Sequence, residues 1–182
     1  FGDTSGTQNW NLAATGGSVL TLDGQGTVPL IVVNQNPATI SAPLAGAKGF
    51  TKSGAGTLVL SGANAYTGDT QVVGGALAIT NGAALGGGAL SFTINTGGVG
   101  KLQVSNNIPV PNAININGSA AGSTTSGVIE STGTNVLTGN ITWNTTGGVN
   151  TSFVSLVGTL SMTGDFMAAG AVTGARTLNL GG

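Results

Sequence analysis

The chain of 182 residues contains no cysteine and no histidine, and the two absences exclude several kinds of site. Without cysteine there is no disulfide framework, no thiol nucleophile and no thiolate metal site. Without histidine the commonest general base and metal ligand is missing. We therefore expect no cofactor and no metal site.

Charged residues are also scarce, at 5% of the chain against about 25% in typical soluble domains. The four basic residues, Lys48, Lys52, Lys101 and Arg176, cannot form a patch that competes for a nucleic-acid backbone. With a formal net charge of −1, the chain has little repulsion to keep its copies apart. We therefore expect no nucleic-acid partner and a tendency to self-associate.

Long apolar runs are absent as well. The longest uninterrupted apolar piece lies around Leu30 to Val33, far short of the roughly 20 residues that span a bilayer. The sequence therefore predicts no membrane-spanning segment in this chain.

The acidic residues do not resemble a catalytic pair. They are five in number: Asp3, Asp23, Asp69, Glu130 and Asp165. Asp23, Asp69 and Asp165 each stand beside a glycine, where aspartate usually serves a turn. We therefore expect turn and solvent roles for these side chains, no catalytic residues and no enzyme activity.

Glycine, in contrast, is abundant, with 34 residues. It interrupts almost every window in which a helical periodicity could arise, so no helix is predicted. Short alternating runs bounded by Gly, Asn, Ser, Thr or Pro predict strands instead. The predicted strands are Val19 to Leu22, Leu30 to Val33, Leu58 to Leu60, Leu77 to Ile79, Leu90 to Ile94, Leu102 to Val104, Ala113 to Ile116, Val128 to Glu130, Asn140 to Trp143, Phe153 to Val157, Leu160 to Met162 and Leu178 to Leu180.

A recurring strand–turn frame favours a solenoid over a sandwich or closed barrel. The frame is a glycine, then leucine, a small or polar residue and an aliphatic, as in "GTLVLSG" at 56 and "GALAITNG" at 75. Stacked coils repeat such units along the chain. The fold class predicted is all-β, a right-handed parallel β-helix (β-solenoid) in which 1–182 form a single segment. At about 20 to 25 residues a coil, the chain makes roughly seven to nine coils.

The glycine-rich stretch "TKSGAGTLVLSG" at 51 does not have the order of a phosphate loop. Such a loop needs glycines before the lysine and a helix after it. Here Lys52 precedes the glycines and a strand follows. The stretch is therefore interpreted as one coil, with Leu58 and Leu60 in its interior.

The segment 51–80, "TKSGAGTLVLSGANAYTGDTQVVGGALAIT", closely resembles the passenger-associated repeat of bacterial autotransporters. The positions that match are Lys52, Gly54, Gly56, Leu58, Leu60, Ser61, Gly62, Asn64, Tyr66, Thr67, Gly68 and Thr70. The resemblance implies a β-helical passenger segment on the bacterial cell surface or in the extracellular space. The full motif occurs once, and the rest of the chain is similar only in style.

Some side chains suggest ligand or packing roles. Tyr66, Trp10 and Trp143 are candidate platforms for sugars, although for Tyr66 structural packing is the better interpretation. If Asn64, Asn95, Asn115 or Asn144 fall at matching corners, they form internal amide ladders. Thr132 and Thr134 are the one T-x-T pair of the kind that an ice-binding solenoid repeats.

The function predicted is mechanical or adhesive: a surface stalk, filament or fibre segment. The terminal stretches contain no polar cap of the kind that solenoids need. The segment is therefore expected to be part of a longer tandem chain or to stack head to tail with itself. Alternatives are a carbohydrate- or host-binding module, with surface glycans or a host surface as partner, a phage fibre shaft and an ice-binding solenoid.

Overall fold

The computed structural model describes residues 9–95, 98–118, 128–145, 150–168 and 177–181, and within these ranges it contains strands and turns but no helix. The strands are β1 (Trp10–Leu12), β2 (Leu20–Thr21), β3 (Leu30–Val32), β4 (Ala38–Ile40), β5 (Leu44–Ala45), β6 (Phe50–Ser53), β7 (Thr57–Leu60), β8 (Thr70–Val72), β9 (Ala76–Ile79), β10 (Leu90–Asn95), β11 (Gly98–Val99), β12 (Lys101–Ser105), β13 (Pro109–Val110), β14 (Ile114–Gly118), β15 (Ile129–Leu137), β16 (Ile141–Thr145), β17 (Asn150–Met162), β18 (Phe166–Ala168) and β19 (Thr177–Gly181).

Two long sheets run along the molecule. The first sheet has the order β1-β4-β7-β9-β12-β15-β17-β19, and the second has the order β3-β6-β8-β10-β14-β16-β18. A third, two-stranded sheet joins β2 and β5. Neighbouring strands in each long-sheet path are parallel and lie about one coil apart along the chain. The chain is therefore a parallel β-solenoid, and the predicted fold class is confirmed.

The interior is made of side chains stacked in columns from coil to coil. In the first sheet one column contains Ala38, Leu58, Leu77, Leu102, Ile129 and Phe153, all of them buried. In the second sheet a column runs from Phe50 through Thr70, Leu90, Ile114 and Ile141 to Phe166. Alternation along each strand points every second residue inward, so one strand of four residues contributes two side chains to the core.

The number of coils differs slightly from the prediction of seven to nine. About five turns have a closed, buried interior, from the turn that begins with β4 to the turn that ends with β16. The turn before them and the turn after them are largely exposed. The coils after Leu77 are also longer than those before it, as the sequence spacing of the first column shows. Dividing the chain length by a single average coil length therefore predicts too many coils.

All twelve predicted strands overlap strands of the structure. Phe153 to Val157 and Leu160 to Met162 are joined in the single strand β17. The buried and part-exposed residues alternate along β7 and β12, as the period-2 frame predicts.

Candidate functional site

The acidic residues are dispersed over the surface. Asp23 and Asp69 are exposed. Asp23 accepts the N–H of Gln25 within its own turn at 3.0 Å, whereas Asp69 accepts the N–H of Ala89 in the next coil at 2.9 Å. Asp165 is also exposed, next to β18, and Asp3 lies outside the described residues. The predicted turn role is confirmed for Asp23, and Asp69 instead links two coils. Among the residues described there is no group of three or more acidic side chains that could hold a metal ion.

Glu130 has a different environment from the aspartates. It lies in β15 on the outer face of the first sheet and is only part-exposed. Its Oε1 is 3.0 Å from the Nζ of Lys101, and its Oε2 accepts a hydrogen bond of 2.9 Å from the Nε2 of Gln103. Both carboxylate oxygens are thus engaged by neighbouring β12, in an arrangement that ties two coils together.

Lys52 points into the solenoid and is fully buried. Its Nζ donates hydrogen bonds to the carbonyl oxygens of Gly54 at 2.8 Å, Gly56 at 2.6 Å and Gly74 at 2.9 Å. All three hydrogens of the ammonium are used, so none is left for a phosphate. Burial lowers the pKa of Lys52 to about 8. The interpretation of "TKSGAGTLVLSG" as a coil is confirmed by the buried Leu58 and Leu60.

Buried asparagines satisfy backbone groups at the corners of the coils. The Oδ1 of Asn64 accepts the N–H of Leu44 at 2.8 Å, and its Nδ2 donates to the carbonyl of Ala84 at 2.6 Å. The residue therefore links the coil before it to the coil after it. Asn135 and Asn112 also bond backbone groups, in both cases of the preceding coil. Asn135 accepts the N–H of Ile108, and Asn112 donates to turn carbonyls that include Gly88.

The prediction of an internal amide ladder named asparagines that do not all lie inside the solenoid. Asn64 does lie at a buried corner, but Asn115 and Asn144 lie on the outer face of the second sheet, where they pair with Thr142 and Asn117. The side chain of Asn95 lies outside the described residues. Sequence reasoning missed Asn112 and Asn135, because their signal is only the turn that each follows, and polar residues border turns throughout this chain.

The aromatic residues mostly pack inside. Tyr66 is fully buried, hydrogen-bonds the Oγ1 of Thr70 through its hydroxyl at 2.7 Å and meets Phe50 edge to face at a centroid distance of 5.8 Å. The packing role predicted for Tyr66 is confirmed. Trp143 is also buried, so neither ring can stack on a sugar, whereas Trp10 is about half exposed in the first turn. Thr132 and Thr134 flank a corner at Gly133, whose φ is 96°, so they do not form a flat pair.

Within the described ranges, no strand lies beyond the interior columns at either end of the solenoid. At one end Trp10 and Leu12 stand above the buried Ala38 and Ile40 with exposures of 47% and 37%. At the other end Phe166 and Leu180 continue the two interior columns with exposures of 45% and 68%. These four residues, here called the open-end residues, are the largest departure from a closed core.

The comparisons with known proteins concern one segment. Residues 50–79 match the family model described as passenger-associated-transport-repeat, so the predicted repeat is confirmed. Neither the curated proteins nor the solved structures gave a match. Within the described ranges there is no helix long and apolar enough to cross a membrane. The repeat belongs to autotransporter passengers, which are secreted or exposed at the cell surface. The chain therefore carries a passenger-associated repeat, at residues 50–79, within a β-solenoid.

Proposed function

We propose that this chain is a structural or adhesive segment of a bacterial surface protein, a β-solenoid rod that extends by stacking coil on coil. The added coil comes from a second copy of the chain or from a tandem unit. The assembled product is a stalk or fibre in the extracellular space, and neither catalysis nor nucleic-acid binding is part of its role.

The open-end residues carry this proposal. Trp10, Leu12, Phe166 and Leu180 belong to the inward-facing columns and are exposed, and within the described ranges no strand lies beyond them. Burying a large apolar side chain completely is favourable by about 1.5–3 kcal/mol. Within the described ranges, the first and last strands of both sheets are edge strands, and an edge strand can serve as a template for another strand.

The two ends differ from each other, so contact between them is heterologous. An interface of this kind repeats without closing unless the rotation between copies happens to form a ring. The parallel direction of every strand in the two long-sheet paths allows the same hydrogen-bond ladder to continue from one copy to the next. A filament of coaxial solenoids is the geometry that follows.

The test is the association state of the purified chain with and without Leu180→Glu. Sedimentation velocity over a hundredfold concentration range is expected to show growing species that electron microscopy images as rods. Leu180→Glu places a charge at the end of an interior column, so we expect it to shift association to at least tenfold higher concentration. A discrete monomer at every concentration would contradict self-stacking.

Val157→Glu is the matched control. Val157 is equally exposed, at 66%, but it pairs with Thr132 on the outer face of the first sheet. The same charge placed there is expected to leave rod formation unchanged. Equal loss of association in both variants would show that rods form through general surface hydrophobicity, and the role of the open-end residues would be wrong.

A further inference from the structure

From β6 to β16, the outward face of the second sheet is a regular array of uncharged polar side chains, here called the polar face. Its members are Thr51, Gln71, Ser91, Thr93, Asn115, Asn117, Thr142 and Asn144. The exposed apolar residues Leu30 and Met167 continue its column beyond the two ends. We propose that the polar face binds a linear, uncharged polysaccharide lying along the solenoid axis. This inference is independent of whether the ends stack.

The register of the strands creates the array. Thr51, Gln71, Ser91, Asn115 and Thr142 are successive partners in β6, β8, β10, β14 and β16, so they form one column over five coils. Coils are about 4.8 Å apart, which gives the column a length of roughly 19 Å. Thr93, Asn117 and Asn144 form a second column beside it, two residues further along three of these strands. The pairings proceed without a bulge, so the face is even.

These side chains are available to a ligand. Within the described part of the chain, the hydrogen bond of 3.5 Å from Thr51 Oγ1 to Gln71 Oε1 is the one that joins two members of the face. The face is only half-buried, so its hydroxyls and carboxamides reach solvent. Each carboxamide offers a donor and an acceptor side by side, which matches the neighbouring hydroxyls of a sugar ring.

The absence of charge on this face indicates a neutral ligand. Among the described charged side chains, Lys52 points inward, Lys101 and Glu130 lie on the first sheet, and Asp23 lies in the turn after β2. Lys48, Asp69 and Asp165 lie in the corners that precede strands of the second sheet. An anionic polymer would find no row of cations along the columns. The evenness of the face favours an extended chain, which contacts many coils at once, over a single sugar.

The test uses electrophoresis of the full chain in native gels that contain soluble neutral polysaccharides: hydroxyethyl cellulose, mixed-linkage β-glucan, galactomannan or dextran. Polygalacturonate serves as the charged polymer. We expect retardation by at least one neutral polymer, little by polygalacturonate, and tighter binding of longer oligosaccharides up to about five sugar units.

The variant Asn115→Ala/Asn117→Ala removes two carboxamides from the middle of the face and is expected to weaken binding at least tenfold. The control Ser105→Ala/Thr132→Ala removes two polar groups from the outer face of the first sheet, where these residues pair, and is expected to bind as the parent does. Circular dichroism checks that both variants are folded.

Three results would overturn the proposal: no retardation by any neutral polymer, equal effects of the two double variants, or a preference for polygalacturonate. An ice-recrystallisation assay tests the remaining candidate ligand of such an array, which is ice. If the chain arrests ice growth and no polysaccharide retards it, the polar face orders water and the polysaccharide proposal is wrong.

Discussion

At the scale of single residues, the central coil depends on polar groups placed inside an apolar column. Lys52 occupies a position that Val72 and Phe92 occupy in the next two coils. An unpaired buried charge is costly, but three carbonyl oxygens replace the water that the ammonium loses. The lysine in turn gives each of these turn carbonyls a hydrogen bond, so the lysine and the turn stabilise each other.

Two buried groups make alkaline stability depend on pH in opposite directions. Burial lowers the pKa of Lys52 from 10.5 to about 8, so between these values the unfolded chain binds more protons and stability rises with pH. Burial raises the pKa of Tyr66 from 10.0 to about 12, against a smaller opposing effect of its hydrogen bond to Thr70. Between pH 10 and 12 the folded chain therefore binds more protons, and stability falls. We expect the summed contribution of Lys52 and Tyr66 to the free energy of unfolding to be largest near pH 10.

Urea unfolding measured from pH 7 to 11.5 checks this expectation. Lys52→Met should lack the rise above pH 8, and Tyr66→Phe should lack the fall above pH 10. If Lys52→Met retains the full rise, the titrating group is another one and the assignment to Lys52 is wrong.

At the scale of elements, several strands were predictable from the sequence because apolar residues occupy their inward positions. β7, β9 and β12 each place two aliphatic residues inward, and the period-2 pattern found them. β6 and β8 were missed because Lys52 and Thr70 stand where an apolar residue is expected. The corners of the coils were harder still. Their geometry depends on contacts between coils, as with Asn135, and these contacts have no local signal in the sequence.

Glycines at the corners illustrate how one coil constrains the next. Gly86 has a φ of 57°, and a Cβ there would clash with the carbonyl oxygen of Tyr66 in the coil below. Gly26 also has a positive φ, 99°, but a Cβ there would meet nothing within 4 Å. Alanine at either position incurs about 1–2 kcal/mol of backbone strain. At Gly86 overpacking adds roughly 1–3 kcal/mol.

We therefore expect Gly86→Ala to lower the free energy of unfolding by clearly more than Gly26→Ala does. Urea denaturation followed by circular dichroism measures both. Equal losses would mean that backbone conformation alone explains the glycine, and that close stacking of the coils is not needed at this corner.

At the scale of the whole molecule, stability is distributed unevenly along the axis. In a solenoid each coil contacts only its neighbours, so a terminal coil has one stabilising interface where an inner coil has two. The five closed turns bury nearly all of the apolar core, whereas β1, β2 and β18 are exposed along their whole length. The ends should therefore open locally far more often than the middle.

Hydrogen exchange at two protein concentrations tests both the difference in local stability between the ends and the middle and the proposed stacking. In dilute solution we expect amides of β7, β9, β12 and β14 to be strongly protected and those of β1 and β18 to exchange quickly. At high concentration the end strands should gain protection, because a stacked copy hydrogen-bonds to these edge strands, while the middle changes little. In Leu180→Glu the ends should stay unprotected at both concentrations. If the end strands are as protected as the middle in dilute solution, they are stable without a stacked copy. The exposed open-end residues would then not favour stacking, and the proposal would be wrong.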